Sequence, residues 1–243
     1  MKKRFLVAAA IALFGVSGVA YGAMQFHQVK PGEYDPAKTH LVNGAWLAGI
    51  GCPTEAKYAP YPATTATDTY TDPACTTGDP KDKNNEGLIL AKTGPTDNNA
   101  EPFVELKNLK GVAITELGYD LRKSGSTTDL RGSTCSVQAP MFQLQTKAGD
   151  VYYIGCMSPP PDLQTAGDGY LRLRWGASAP LQAYLNGTTL TPISGMSFDK
   201  VYIVFQDGYV GPTTGDLSKF GLAVLDNIDV NGVLVGEGPP DPS

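Results

Sequence analysis

Glu116 and Asp120 are the carboxylates whose spacing first invites a chemical reading. They lie four residues apart in Val112 to Leu121, a stretch with strand character. Glycoside hydrolysis needs two carboxyl groups facing each other across a cleft, one protonated and one ionised. Four residues along a strand place both groups on one face about 13 Å apart, too far for a pair working from a single strand. The compact Glu-x-Asp-x-x-Glu arrangement is absent, so both read as surface or turn charges. Nucleophilic chemistry has still less to draw on. The histidines are His27 and His40, no His follows position 40, and no Gly-x-Ser-x-Gly elbow leads into a helical segment. The expectation is a protein without a catalytic constellation.

Cys52, Cys75, Cys135 and Cys156 are separated by 23, 60 and 21 residues. Zinc sites use close C-x-x-C pairs, which this spacing lacks. An even number of cysteines in an exported chain reads instead as two disulfides. Three connectivities are possible. Cys52–Cys75 and Cys135–Cys156 are favoured because each closes a local segment, and each loop is then worth roughly 3 kcal/mol.

Export itself is read from residues 1–22. Lys2, Lys3 and Arg4 precede an apolar run from Phe5 to Val19, and Ala20-Tyr21-Gly22 supplies small residues for cleavage. This is the layout of a secretory signal, and the run is short for a membrane span. The mature chain then starts near Ala23, has no second hydrophobic span, and is expected to be secreted or periplasmic. Three of the 19 basic residues leave with the signal, so 16 face 24 acidic ones, a net charge of −8. An acidic surface without a Lys/Arg run argues against nucleic acid and anionic membranes as partners. It suits a neutral ligand or a cation, and it also serves plain solubility.

Neutral sugars are held by exposed aromatic rings with polar groups alongside. In Tyr170 to Trp175, Leu171, Leu173 and Trp175 alternate with Tyr170, Arg172 and Arg174. In Val201 to Phe205, Tyr202 faces away from Val201, Ile203 and Phe205. Tyr152 is less defined, because Ile154 shares its face. If their strands are neighbours, Tyr152, Tyr170, Arg172, Arg174 and Tyr202 make one ligand-binding platform. The competing expectation is that the rings cover a second packed layer. Trp46 and Trp175 are expected in the core.

The elements that must position these residues are strands. Leu41 to Ile50, Gly87 to Ala91, Phe103 to Leu106, Gln138 to Thr146, Val151 to Cys156 and Phe220 to Val230 all carry strand signals. Lys147-Ala-Gly-Asp150 reads as a hairpin turn. Residues 51–86 form a long Thr/Pro/Asp-rich loop, and 237–243 a Pro-rich tail. No segment beyond the signal keeps a 3.6-residue period. The pattern predicts one all-β domain over 23–236, an antiparallel β-sandwich of jelly-roll type.

Gly221-Leu-Ala-Val-Leu-Asp-Asn-Ile-Asp-Val-Asn-Gly232 resembles the closing strand of exported jelly-roll modules, carbohydrate-binding modules among them. That resemblance implies a structural calcium held in part by Asp226. Asp72, Asp79, Asp82 and Glu86 also cluster in the long loop, without the spacing of an EF-hand. Gly49-Ile-Gly-Cys-Pro53, Lys92-Thr-Gly-Pro-Thr96, Glu116-Leu-Gly-Tyr-Asp120 and the Cys135 to Cys156 hairpin resemble uncharacterised secreted bacterial proteins. The expected function is an exported, non-catalytic module that binds a glycan or another cell-surface ligand. The alternative is a structural or protein-interaction domain of the cell envelope, and a polysaccharide-active enzyme has the least support.

Overall fold

A computed structural model of the chain describes residues 26, 28–52, 78–94, 100–123, 139–165, 170–206 and 221–239. Residues 1–22, read above as a signal, Cys75, Cys135 and most of the expected long loop lie outside the described residues.

Sixteen strands and no helix make up the described residues. One sheet has seven strands, in the order β1 (Val29–Tyr34), β4 (Glu101–Leu106), β14 (Lys200–Val204), β7 (Met141–Gln145), β8 (Val151–Gly155), β11 (Gln182–Leu185) and β12 (Thr189–Pro192). The second runs β2 (Val42–Leu47), β3 (Gly87–Lys92), β15 (Gly221–Val230), β6 (Leu117–Lys123), β10 (Leu171–Trp175) and β9 (Asp162–Thr165). β16 (Val233–Val235) pairs with the end of β15, and β5 (Ala113–Ile114) pairs with β13 (Met196–Ser197). Neighbours pair antiparallel throughout, and no helix is long and apolar enough to cross a membrane among the described residues.

Alternation of side chains builds the core between the sheets. Val104, Phe142, Ile154, Ala183 and Ile203 come from one sheet, and Leu90, Leu121, Leu173 and Leu225 from the other. Tyr119, Phe142 and Trp175 pack with ring centroids 5.4 to 5.8 Å apart. Their polar ends are satisfied, since Tyr119 Oη donates to Pro140 O at 2.9 Å and Trp175 Nε1 to Pro159 O at 2.8 Å. Trp46 is half-buried and donates through Nε1 to Val29 O at 3.2 Å, tying the edge strands β2 and β1 together. The β7–β8 turn is the hairpin expected at Lys147–Asp150, and Gly149 supplies its positive φ of 99°.

β15 is the central strand that its apolar stretch predicts, paired with β3 on one side and β6 on the other. Its register shifts between Asp226 and Asp229, where Asn227 has φ 44°. Beyond that bulge β15 pairs with β16 in place of β3.

Candidate functional site

Strand pairing places one residue per strand in a row across the outer face of the seven-stranded sheet. Glu105 pairs with Tyr202, Tyr202 with Gln143, Gln143 with Tyr153 and Tyr153 with Tyr184. Lys30 extends the row at one end and Leu190 at the other. All three tyrosines are half-buried, so each ring keeps part of its surface in water. Side chains on their strands alternate, and the intervening Ile154, Ala183 and Ile203 fill the core, which fixes the outward set.

The next row runs Gly32, Phe103, Val204, Met141 and Gly155. Phe103 lies over Gly32, where a Cβ would come within 2.6 Å of the ring. Phe103 also meets Tyr202 edge to face at 5.8 Å, so its ring supports that of Tyr202. Between the two rows opens a groove of about 250 Å³, lined by Met141, Tyr153, Gly155, Ser158, Tyr184, Gly187 and Gln206. Ser158 Oγ and Tyr184 Oη are hydrogen bonded at 2.9 Å. Every described lining residue is uncharged. The groove therefore combines apolar ring surface with hydroxyl and amide groups, the chemistry that suits a neutral, hydroxyl-rich ligand.

Sequence reasoning reaches this face through Tyr202 alone. Tyr152 points the other way, into the core, with its ring 5.7 Å from that of Phe198. The clue was Ile154: it shares the face of Tyr152, which leaves Tyr153 outward. Tyr184 sits on a four-residue strand between polar turns, too short to register as an alternating pattern.

Tyr170, Arg172 and Arg174 belong to the other sheet or its margin, so the five expected platform residues do not share one face. Tyr170 stands opposite the core-facing Leu171, as expected, but it is fully buried. It packs with Ile50, Cys52 and Val224, donates to Ile50 O, and carries the Arg122 guanidinium 4.8 Å from its ring centre. Arg172 grips its cross-strand partner Asp120 with two bonds, at 2.8 and 2.9 Å. Arg174 pairs with Asp229 at 2.9 Å and Asp120 at 3.3 Å. Gly118 makes room for it, since a Cβ there would lie 2.3 Å from Arg174 Cδ. Asn227 Nδ2 donates to Asp120 Oδ2 at 2.9 Å, completing a buried polar network.

No protein-family model matches this chain, and no curated protein matches its sequence. Among solved structures it is similar to a family 11 carbohydrate-binding module from Clostridium thermocellum, in complex with a β-1,3-1,4-mixed-linked tetrasaccharide. The TM-score is 0.38 and the identity 12%, over 87% of this chain and 90% of that one. The family 11 module of the C. thermocellum cellulosomal cellulase Lic26A-Cel5E is also similar, with a TM-score of 0.35 and 10% identity over 88% and 91% of the two chains. Similarities this distant assign no ligand to this protein.

Asp226 is fully buried at the bulge of β15. Its Oδ2 accepts from Cys52 N at 2.6 Å and its Oδ1 from Asn227 N at 2.5 Å. Burial pushes its carboxyl well above the usual range, and the nearby Asp120 adds to the shift. Asp79, also buried, receives the N–H groups of Lys81 at 2.9 Å and Gly236 at 3.0 Å, and its own N–H donates to Asn227 Oδ1 at 2.8 Å. Asp82 accepts from Glu86 N at 2.9 Å, and burial raises its carboxyl to about 6. These acids are thus engaged by N–H donors, and among the described residues no three His, Cys, Asp or Glu side chains converge as ligands of one metal ion.

Proposed function

We propose that the outer face of the seven-stranded sheet binds a neutral glycan chain and that the protein acts as an exported binding module without catalysis. The supporting observation is the continuous row Tyr202–Gln143–Tyr153–Tyr184 beside a groove whose described lining is uncharged. Neighbouring strands are ~4.8 Å apart, so Tyr153 and Tyr184 are adjacent while Tyr202 stands about 10 Å from Tyr153. A chain crossing the strands meets more than one ring, and the amides of Gln143 and Gln206 are placed to meet its hydroxyls. Rings give affinity by stacking on the apolar faces of sugars, and amides give orientation.

Export belongs to the same reading and rests on the signal layout of residues 1–22. So do the disulfides Cys52–Cys75 and Cys135–Cys156, which would staple a jelly-roll sandwich in an oxidising compartment. Cys52 and Cys156 are both fully buried, as such staples usually are. Mass spectrometry of the exported protein, alkylated before reduction, should find all four thiols blocked from labelling.

The functional test is retention of the mature protein on insoluble polysaccharides, with calcium and with EDTA. Selective retention is expected, lost in Tyr153→Ala and Tyr184→Ala while the melting temperature holds. Retention equal to wild type in both variants contradicts the reading. Silence across a broad panel does too, and would favour an envelope protein partner.

A further inference from the structure

Three Asn-Gly steps occur in the chain, at Asn43, Asn186 and Asn231, each preceded by Val or Leu. An Asn-Gly step carries its own nucleophile and electrophile. The glycine nitrogen attacks the asparagine Cγ, a C–N bond forms, and ammonia leaves with the side-chain nitrogen, giving a succinimide. Water then opens either carbonyl to aspartate or isoaspartate. One water is consumed and one ammonia released, with nothing oxidised or reduced. Glycine leaves its nitrogen unshielded because it has no Cβ. With the local sequence so alike, the fold decides which step reacts.

Asn231 is held at both reacting groups. Its Oδ1 accepts from Thr115 N at 2.8 Å, Thr115 Oγ1 at 3.1 Å and Glu116 N at 3.1 Å, and its Nδ2 donates to Ala113 O at 2.8 Å. The attacking nitrogen, Gly232 N, is itself bound to Asp229 Oδ1 at 2.8 Å. Asn43 is exposed, but it lies inside β2, which pairs with β3 along its whole length. Gly44 is packed there, with Gly32 O 3.3 Å from the place of a Cβ. Ring closure would turn this peptide out of the ladder, so the strand resists it.

Asn186 has none of these restraints. It opens the turn 186–188 between β11 and β12, and its exposed side chain has no hydrogen bond among the described residues. Gly187 N reaches Tyr184 O at 3.4 Å, beyond the usual length of an amide hydrogen bond. A Cβ on Gly187 would meet nothing within 4 Å, so water has access to the ring that forms. β12 is a four-residue edge strand and mostly exposed, the kind of element that opens locally at low cost.

We propose that Asn186 is a spontaneous modification site, converted through attack by Gly187 to aspartate and isoaspartate in the folded protein. Either product sets a carboxylate beside Gly187, which lines the groove, and isoaspartate also lengthens the main chain there by a methylene. The inference holds whatever the groove binds.

The folded mature chain, aged in mildly alkaline heavy-oxygen water and read by tandem mass spectrometry, tests this. Asn186 should convert about tenfold faster than Asn43 or Asn231, a barrier difference near 1.4 kcal/mol. In urea the three rates should converge. Asn186→Gln should remove the main acidic species that ageing produces on ion exchange, with the far-UV circular dichroism unchanged. Conversion at Asn186 no faster than at the other two sites overturns the inference. So does the same order of rates in urea, because sequence and not fold would then set it. Persistence of the main acidic species in Asn186→Gln overturns it as well.

Discussion

The two outer faces of the sandwich obey the same alternation and end in opposite states. Across the seven-stranded sheet the register aligns Tyr202, Gln143, Tyr153 and Tyr184, half-open to water. Across the other sheet it aligns Asp226, Asp120 and Arg172 in one row, and Asp229, Gly118 and Arg174 in the next. That second face is closed over. Cys52 donates to Asp226, Asp79 to Asn227, and Gly236 to Asp79, so chain segments remote in sequence lie on the strands. A ring or a charge that faces away from the core is therefore not yet a surface group. What lies above the strand decides whether it binds a ligand or holds the fold.

The largest expected effect breaks the closed face. Asp120→Ala removes the carboxylate that half-buried Arg172 and buried Arg174 share and leaves Arg174 to Asp229, and losing one partner of a buried pair costs on the order of 3–5 kcal/mol. A fall of roughly 10 °C in melting temperature is expected by calorimetry. Tyr153→Ala on the open face should leave that temperature within a few degrees and remove glycan retention. If the two variants exchange these phenotypes, the division between the faces is wrong.

A smaller effect sharpens the comparison at the closed face. Tyr170→Phe removes the hydrogen bond to Ile50 O and should cost about 1 kcal/mol by urea unfolding, with glycan binding unaltered. Reduced binding in this variant would return Tyr170 to the ligand site.

The smallest effect is a pH dependence. Burial raises Asp82 from 3.8 to about 6, so the folded state favours its protonated form. Its contribution is complete below the unfolded value and is lost as pH rises through about 6. Asp82→Asn should therefore flatten the decline in urea midpoint between about pH 4 and pH 7. An identical slope in the variant would show that other groups set it.

Strand periodicity made the all-β architecture legible in the sequence. Leu171, Leu173 and Trp175 point inward as read, Tyr202 points outward, and Gly149 turns the hairpin that its neighbours announce. The loops over Tyr170 were not legible. Its cover comes from Ile50 and Cys52, more than a hundred positions away, and alternation along one strand carries no information about a segment laid across it. Arg172 and Arg174 looked like solvent charges because their partner, Asp120, enters only through cross-strand register. Tyr184 was missed for a different reason, since Gln182–Leu185 is too short to display its period.

The most direct test of the account is a backbone amide NMR titration of the mature protein with a polysaccharide that retains it. Saturable shifts should map to Gln143, Tyr153, Tyr184 and Tyr202 and leave Asp120, Tyr170 and Arg172 unmoved. Shifts centred on Tyr170 and Arg172 would contradict the account and place the ligand on the closed face.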